Sequence, residues 1–195
     1  MRAIVPSLLA LAVAIAVFSQ SEALTQQLIA DQAMKCDSTV ALAAADQILR
    51  SNNVGGDPFE LVAAADALFR HGRRDEAVFW SYAGLLRLRD ALIQNPVQGG
   101  IFTIFQRSAA PISNFAQHSP RRLAKTIEAV LDWDHRTPNP FRTSPISNEQ
   151  RLEFLKNREG LKSLVSALRA DPQHYAEIAK RDQQLAQAFA SGCRE

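Results

Sequence analysis

The chain has no Cys-x-x-Cys pair and no Gly-x-Ser-x-Gly elbow, and its glycine doublets, Gly55-Gly56 and Gly99-Gly100, match no phosphate-cradling fingerprint. Those absences take the commonest dithiol, serine-hydrolase and nucleotide-binding chemistries out of consideration. Lysine and arginine never gather into a block and the formal net charge is only +2, so nothing argues for nucleic acid. Arg73-Arg74 and Arg121-Arg122 read as solvated helix starts. No run of alternating apolar residues competes for a sheet. The longest apolar stretch, Ile4 to Phe18, falls short of the ~20 residues a membrane span needs.

What is there begins with that stretch. Met1-Arg2, the apolar core and then SQSEA form the three parts of a secretory signal peptide, with removal expected after Ala23; an uncleaved anchor is the alternative. Residues 24–195 are then expected to form a single helical domain with no membrane span, exported to the periplasm or beyond. The chain has just two cysteines, Cys36 and Cys193, one near each end of that domain, and an oxidising destination favours a disulfide between them. Closing so long a loop contributes on the order of 3–5 kcal/mol in the chain-entropy view.

The strongest local signal is Asp57 to Gln94. Asp57 can cap a helix that Pro58 opens, with Glu60 at the capping-box position. His71-Gly72 can close it, and Arg73-Arg74-Asp75-Glu76 starts a second helix. On that second helix Val78, Tyr82, Leu85 and Leu92 form one apolar stripe, and Phe79, Ala83, Leu86 and Ile93 an adjoining one. Only a narrow side with Glu76, Arg87, Asp90 and Gln94 looks suited to water.

This hairpin resembles a tetratricopeptide-type helix-turn-helix unit, because Ala65, Leu68, Gly72, Ala77 and Gly84 follow at offsets of three, four, five and seven. No second copy follows Gln94. The resemblance implies a helical hairpin of a kind whose relatives present concave surfaces to protein partners.

Helical periodicity governs the remaining chain. Leu24 to Arg50 reads as one interrupted or two short helices, broken at Asp37-Ser38 and anchored by Leu28, Ile29, Val40, Leu42, Ile48 and Leu49. Pro111 should split the stretch from Ile101 to Phe115, and Ser119-Pro120 should open a helix that runs out at Asp132 to His135. RTPNPFRTSPIS is expected as an extended loop. Ser147 with Gln150, and then Asp171-Pro172, should start the last two helices, the final one reaching Ser191-Gly192. The expected fold is all-α, an irregular bundle of six to eight helices around a central antiparallel hairpin.

No catalytic constellation, cofactor motif or metal-ligand set stands out. Asp132, Asp134 and His135 are the one acid-histidine concentration, but they lack a second ligand pair, and pairing of Asp132 or His135 with Arg136 is the simpler reading. Each of His71, His118 and His174 stands alone. The chain is therefore expected to be an exported helical interaction module, of an accessory or toxin-neutralising kind, whose partner is another protein. Its expected partner surface combines Arg73, Glu76, Arg87, Asp90 and Gln94 with His135, Arg136 and Phe141 of the long loop. The alternative is an exported hydrolase or metal-dependent enzyme with a site near the 132–146 loop.

Overall fold

A computed structural model describes residues 28–51, 54–96, 105–106, 109–143, 145–183 and 187. The expected signal peptide lies outside these residues. So does Cys193, and with it the expected bridge from Cys36. The chain is all-α, a bundle of helices with no strand among the described residues. None of these helices is long and apolar enough to cross a membrane.

After a short helical segment at 28–33, Asp37 breaks the chain and caps α1 (Ser38–Arg50), its Oδ1 accepting from the amides of Thr39 at 2.8 Å and Val40 at 3.1 Å. The buried face of α1 is built on Ala41, Ala44, Ala45 and Ile48, which meet Ala64, Ala67 and Leu68 of α2 (Pro58–Arg70). Small residues on both sides let two backbones approach closely. Of the larger residues expected as anchors, Ile48 is buried and Ile29, Leu42 and Leu49 pack partly buried against this cluster, whereas Leu28 and Val40 are exposed.

Asp57 caps α2 by accepting from the Phe59 amide at 2.8 Å, and Pro58 occupies the first turn. Gly72 ends it at φ 91°, with the Gly72 amide reaching Phe69 O and the Arg73 amide reaching Leu68 O. That pair of closing bonds needs the left-handed residue between them. The chain reverses into α3 (Arg74–Gln94), and the two helices pack so tightly at Gly84 that a Cβ there would lie 2.8 Å from Val62 Cγ2.

The helix α3 sits at the centre. Val78, Ala83 and Leu86 join Ile112 and Ala116 of α4 (Ala110–Gln117), Leu123, Ile127 and Val130 of α5 (Pro120–Arg136), and Leu161, Val165 and Leu168 of α7 (Asn148–Ala170) in one core. Trp80 and Phe79 of α3 meet Trp133 of α5 edge to face, with ring centroids 5.6 and 6.2 Å apart. Ser147 and Gln150 close the reciprocal capping box of α7, and Asp171 caps α8 (Pro172–Arg181) by accepting from His174.

Two expectations are corrected. The helix expected to run out at Asp132 to His135 continues through Arg136, with Thr137 as its cap. The extended loop contains one helical turn, α6 (Pro140–Thr143), because Asn139 accepts the Phe141 amide through Oδ1 at 3.0 Å. The last helix spans Pro172–Arg181 with Asp182 as its cap, Gln183 and Gln187 beyond it are again helical, and most of the stretch expected to carry it to Ser191-Gly192 lies outside the described residues.

Candidate functional site

Where α3, the end of α5, the loop after it and α7 converge, five charged side chains meet beneath the surface. Arg87 and Asp90 stand one turn apart on α3, Asp134 belongs to the last turn of α5, Arg142 to α6 and Arg158 to α7. The side chains of Arg87, Asp90 and Asp134 are wholly buried, while Arg142 and Arg158 keep 17% and 24% of theirs exposed.

Arg87 donates through Nη1 to Pro138 O at 2.9 Å and through Nη2 to Thr137 O at 3.0 Å. Its Nε lies 3.1 Å from Asp134 Oδ1 without the alignment of a hydrogen bond, so both atoms are ion-paired but otherwise unpartnered. The guanidinium also lies 4.8 Å from the ring centroid of Trp133. Beside both groups is Gly55, at φ 89°, where a Cβ would stand 3.1 Å from Trp133 Cη2 and 3.7 Å from Arg87 Cζ.

Arg142 bridges the two acids, donating to Asp134 Oδ2 at 2.9 Å and, through its other terminal nitrogen, to Asp90 Oδ2. Arg158 donates to Asp134 Oδ2 as well. Asn139 and Asn157 complete the coordination of Asp90, at 2.8 and 3.1 Å. Three guanidiniums face two carboxylates, an excess of one positive charge. Burial pushes the Asp90 carboxyl above its ordinary range, against the pull of Arg142. Burial likewise draws the Arg87 guanidinium below its ordinary value, opposed by Asp134.

The segment from Thr137 to Thr143 is strapped down by this cluster, and its carbonyls show how completely. Thr137 O and Pro138 O take Arg87, Asn139 O takes the Arg142 amide, Pro140 O takes the Thr143 hydroxyl, and Phe141 O takes Gln94 Nε2. Five consecutive carbonyl oxygens are therefore satisfied within the fold. Above the strap is a shallow depression bordered by His135, Arg136, Asn139, Arg142 and Arg158.

The structure divides the expected partner surface. Arg73 and Glu76 lie at the hairpin turn, paired with each other and, through Arg73, with Asp46. Gln94 and Phe141 meet at the opposite end of α3, about 30 Å away at 1.5 Å of rise per residue. His135 and Arg136 are exposed near the strap, and Arg136 pairs with Asp132 at 2.6 Å. Arg87 and Asp90 are corrected outright: they face inward, because the strap and α7 roof the C-terminal half of the stripe that looked suited to water.

Sequence reasoning missed Asn139, Arg142, Asn157 and Arg158 as members of a site. One signal pointed there: a helix with apolar stripes on most sides is buried all round, so charges on it need internal partners. Among the described residues no group of three His, Cys, Asp or Glu side chains is placed to hold a metal ion. Comparison with protein-family models, curated proteins and solved structures finds no match to the chain.

Proposed function

We propose that this is an exported helical interaction module whose recognition end is the strapped segment Thr137–Thr143 and the depression above it. The observation that supports this reading is the buried ionic clasp. Ion pairs removed from water carry a desolvation penalty of several kcal/mol per ion, and apolar replacements often match or exceed their stability. A cluster of three arginines and two aspartates is thus a poor way to stabilise a core and a good way to fix one surface segment in a single shape. A segment ordered in advance loses little entropy when a partner docks, which is where rigid recognition surfaces gain affinity.

The enzyme reading, a site near the 132–146 loop, has less support. Both buried acids are turned onto arginines and asparagines, and Asp134 has no exposed side-chain surface from which to take a proton from a bound molecule.

Affinity capture with the tagged mature chain tests the proposal. A partner is expected whose binding weakens about tenfold with Arg136→Glu, at the strap, and is unchanged by Arg73→Glu, at the far end of α3. Failure to retain any partner, together with a substrate-dependent activity abolished by His135→Ala, would replace the module with the enzyme. Export is tested separately: intact mass of the exported chain is expected to correspond to a start at Leu24, and a chain starting at Met1 that leaves the membrane only in detergent would overturn it.

A further inference from the structure

The depression over the strap is electrostatically one-sided. Its rim carries Arg136, Arg142, Arg158 and His135, and its single acid, Asp134, has a side chain with no exposure at all. Thr137 O, Pro138 O and Phe141 O are engaged by Arg87 and Gln94, and Asn139 O and Pro140 O by bonds within the strap, so five of its carbonyls already have a donor. Arg158 is the least engaged of the buried arginines: among the described residues only its Nη2 has a partner, and a quarter of its side chain meets solvent. Arg136 is exposed and pairs with Asp132 through Nη2. The cluster below holds three positive charges against two negative ones.

Resting on the interaction reading above, we propose that this depression takes a carboxylate carried by an acidic segment of a protein partner. Arg158 is the fork that receives it. A guanidinium pairs two parallel N–H groups with the two oxygens of a carboxylate, and Arg158 is already oriented by its bond to Asp134, so no ordering is needed at the moment of binding. The incoming charge neutralises the excess left by the clasp. The shallowness of the depression suits a side chain projecting from a peptide rather than an engulfed metabolite.

The experiment is fluorescence anisotropy on the full mature chain with a labelled glycine-glutamate peptide as probe, beside the same peptide with every glutamate replaced by glutamine and an amidated end. The glutamate peptide is expected to bind at least tenfold more tightly, and to lose that advantage as salt is raised. Arg158→Gln should weaken it about tenfold and Arg158→Lys less, since the lysine keeps the charge without the fork. Arg136→Glu, outside the buried cluster, should weaken it several-fold, which keeps the test decisive if Arg158→Gln unfolds the chain. Equal binding of the two peptides, or indifference of the glutamate peptide to both Arg158→Gln and Arg136→Glu, overturns the inference. So does competition by inorganic phosphate at lower concentration than acetate, which would assign the depression to phosphate. Absence of peptide binding alongside retained, Arg136-dependent capture of a partner overturns the carboxylate site alone; loss of both overturns the interaction reading too.

Discussion

Arg87 has no exposed surface, yet its five N–H groups must all be accommodated, and two strap carbonyls, one carboxylate and the face of Trp133 surround it. Truncation leaves those carbonyls buried without donors and the two acids short of a cation. Arg87→Ala should therefore cost about 3–5 kcal/mol in urea unfolding, and Arg87→Lys nearly as much, since one ammonium cannot span both carbonyls and the acid. A loss below about 1 kcal/mol for both would show that the strap holds without it. Glu60 poses the opposite case. Burial raises its carboxyl above the ordinary 4.5, and the nearby Asp57 raises it further. The folded state thus holds this proton more tightly than the unfolded state, so stability falls as pH rises from 4.5 through the raised folded value. Glu60→Gln should raise Tm at pH 7, and the gain should vanish near about pH 3.5, where wild type is protonated in both states. A gain that persists unchanged at the lower pH would place its origin in packing instead.

At the scale of the element, two helical glycines answer opposite needs. Gly84 lets α2 and α3 touch, since an added Cβ would meet Val62 Cγ2 at 2.8 Å and Leu61 Cβ at 3.2 Å. Gly160, in α7, has nothing within 4 Å of that position. Alanine gains up to ~1 kcal/mol of helix propensity at either site. At Gly160 that gain should appear as added stability of about 0.5–1 kcal/mol. At Gly84 the clash should override it, for a net loss of about 1–3 kcal/mol. Thermal melts of the two variants would settle the pair, and equal signs would refute the close approach. The same elements show why the helices were legible in the sequence. Asp37, Asp57, Ser147 with Gln150, and Asp171 each act within three residues of themselves, and the turn at Gly72 depends on one residue's backbone freedom.

Across the whole molecule, the clasp was illegible for the converse reason. Arg87 and Asp90 share a stripe with Glu76 and Gln94, and helical spacing alone cannot say that one end of a stripe is open and the other roofed. The roof comes from far along the chain: Arg87 reaches residues 50 and 51 positions away, and Asp90 binds Arg142 and Asn157 at separations of 52 and 67. Those separations also set an order in time. The α2–α3 hairpin joins neighbours in sequence and can form early, whereas the clasp closes only when three distant stretches have already docked. Removing Arg87 should thus leave the refolding limb of the chevron nearly unchanged and raise the unfolding limb at unchanged slope, with almost all of the lost stability appearing as faster unfolding. The strap would be the last segment to lock and the first to let go, and limited proteolysis of the Arg87→Ala chain should cut between Thr137 and Thr143 before it cuts any of the longer helices that flank it.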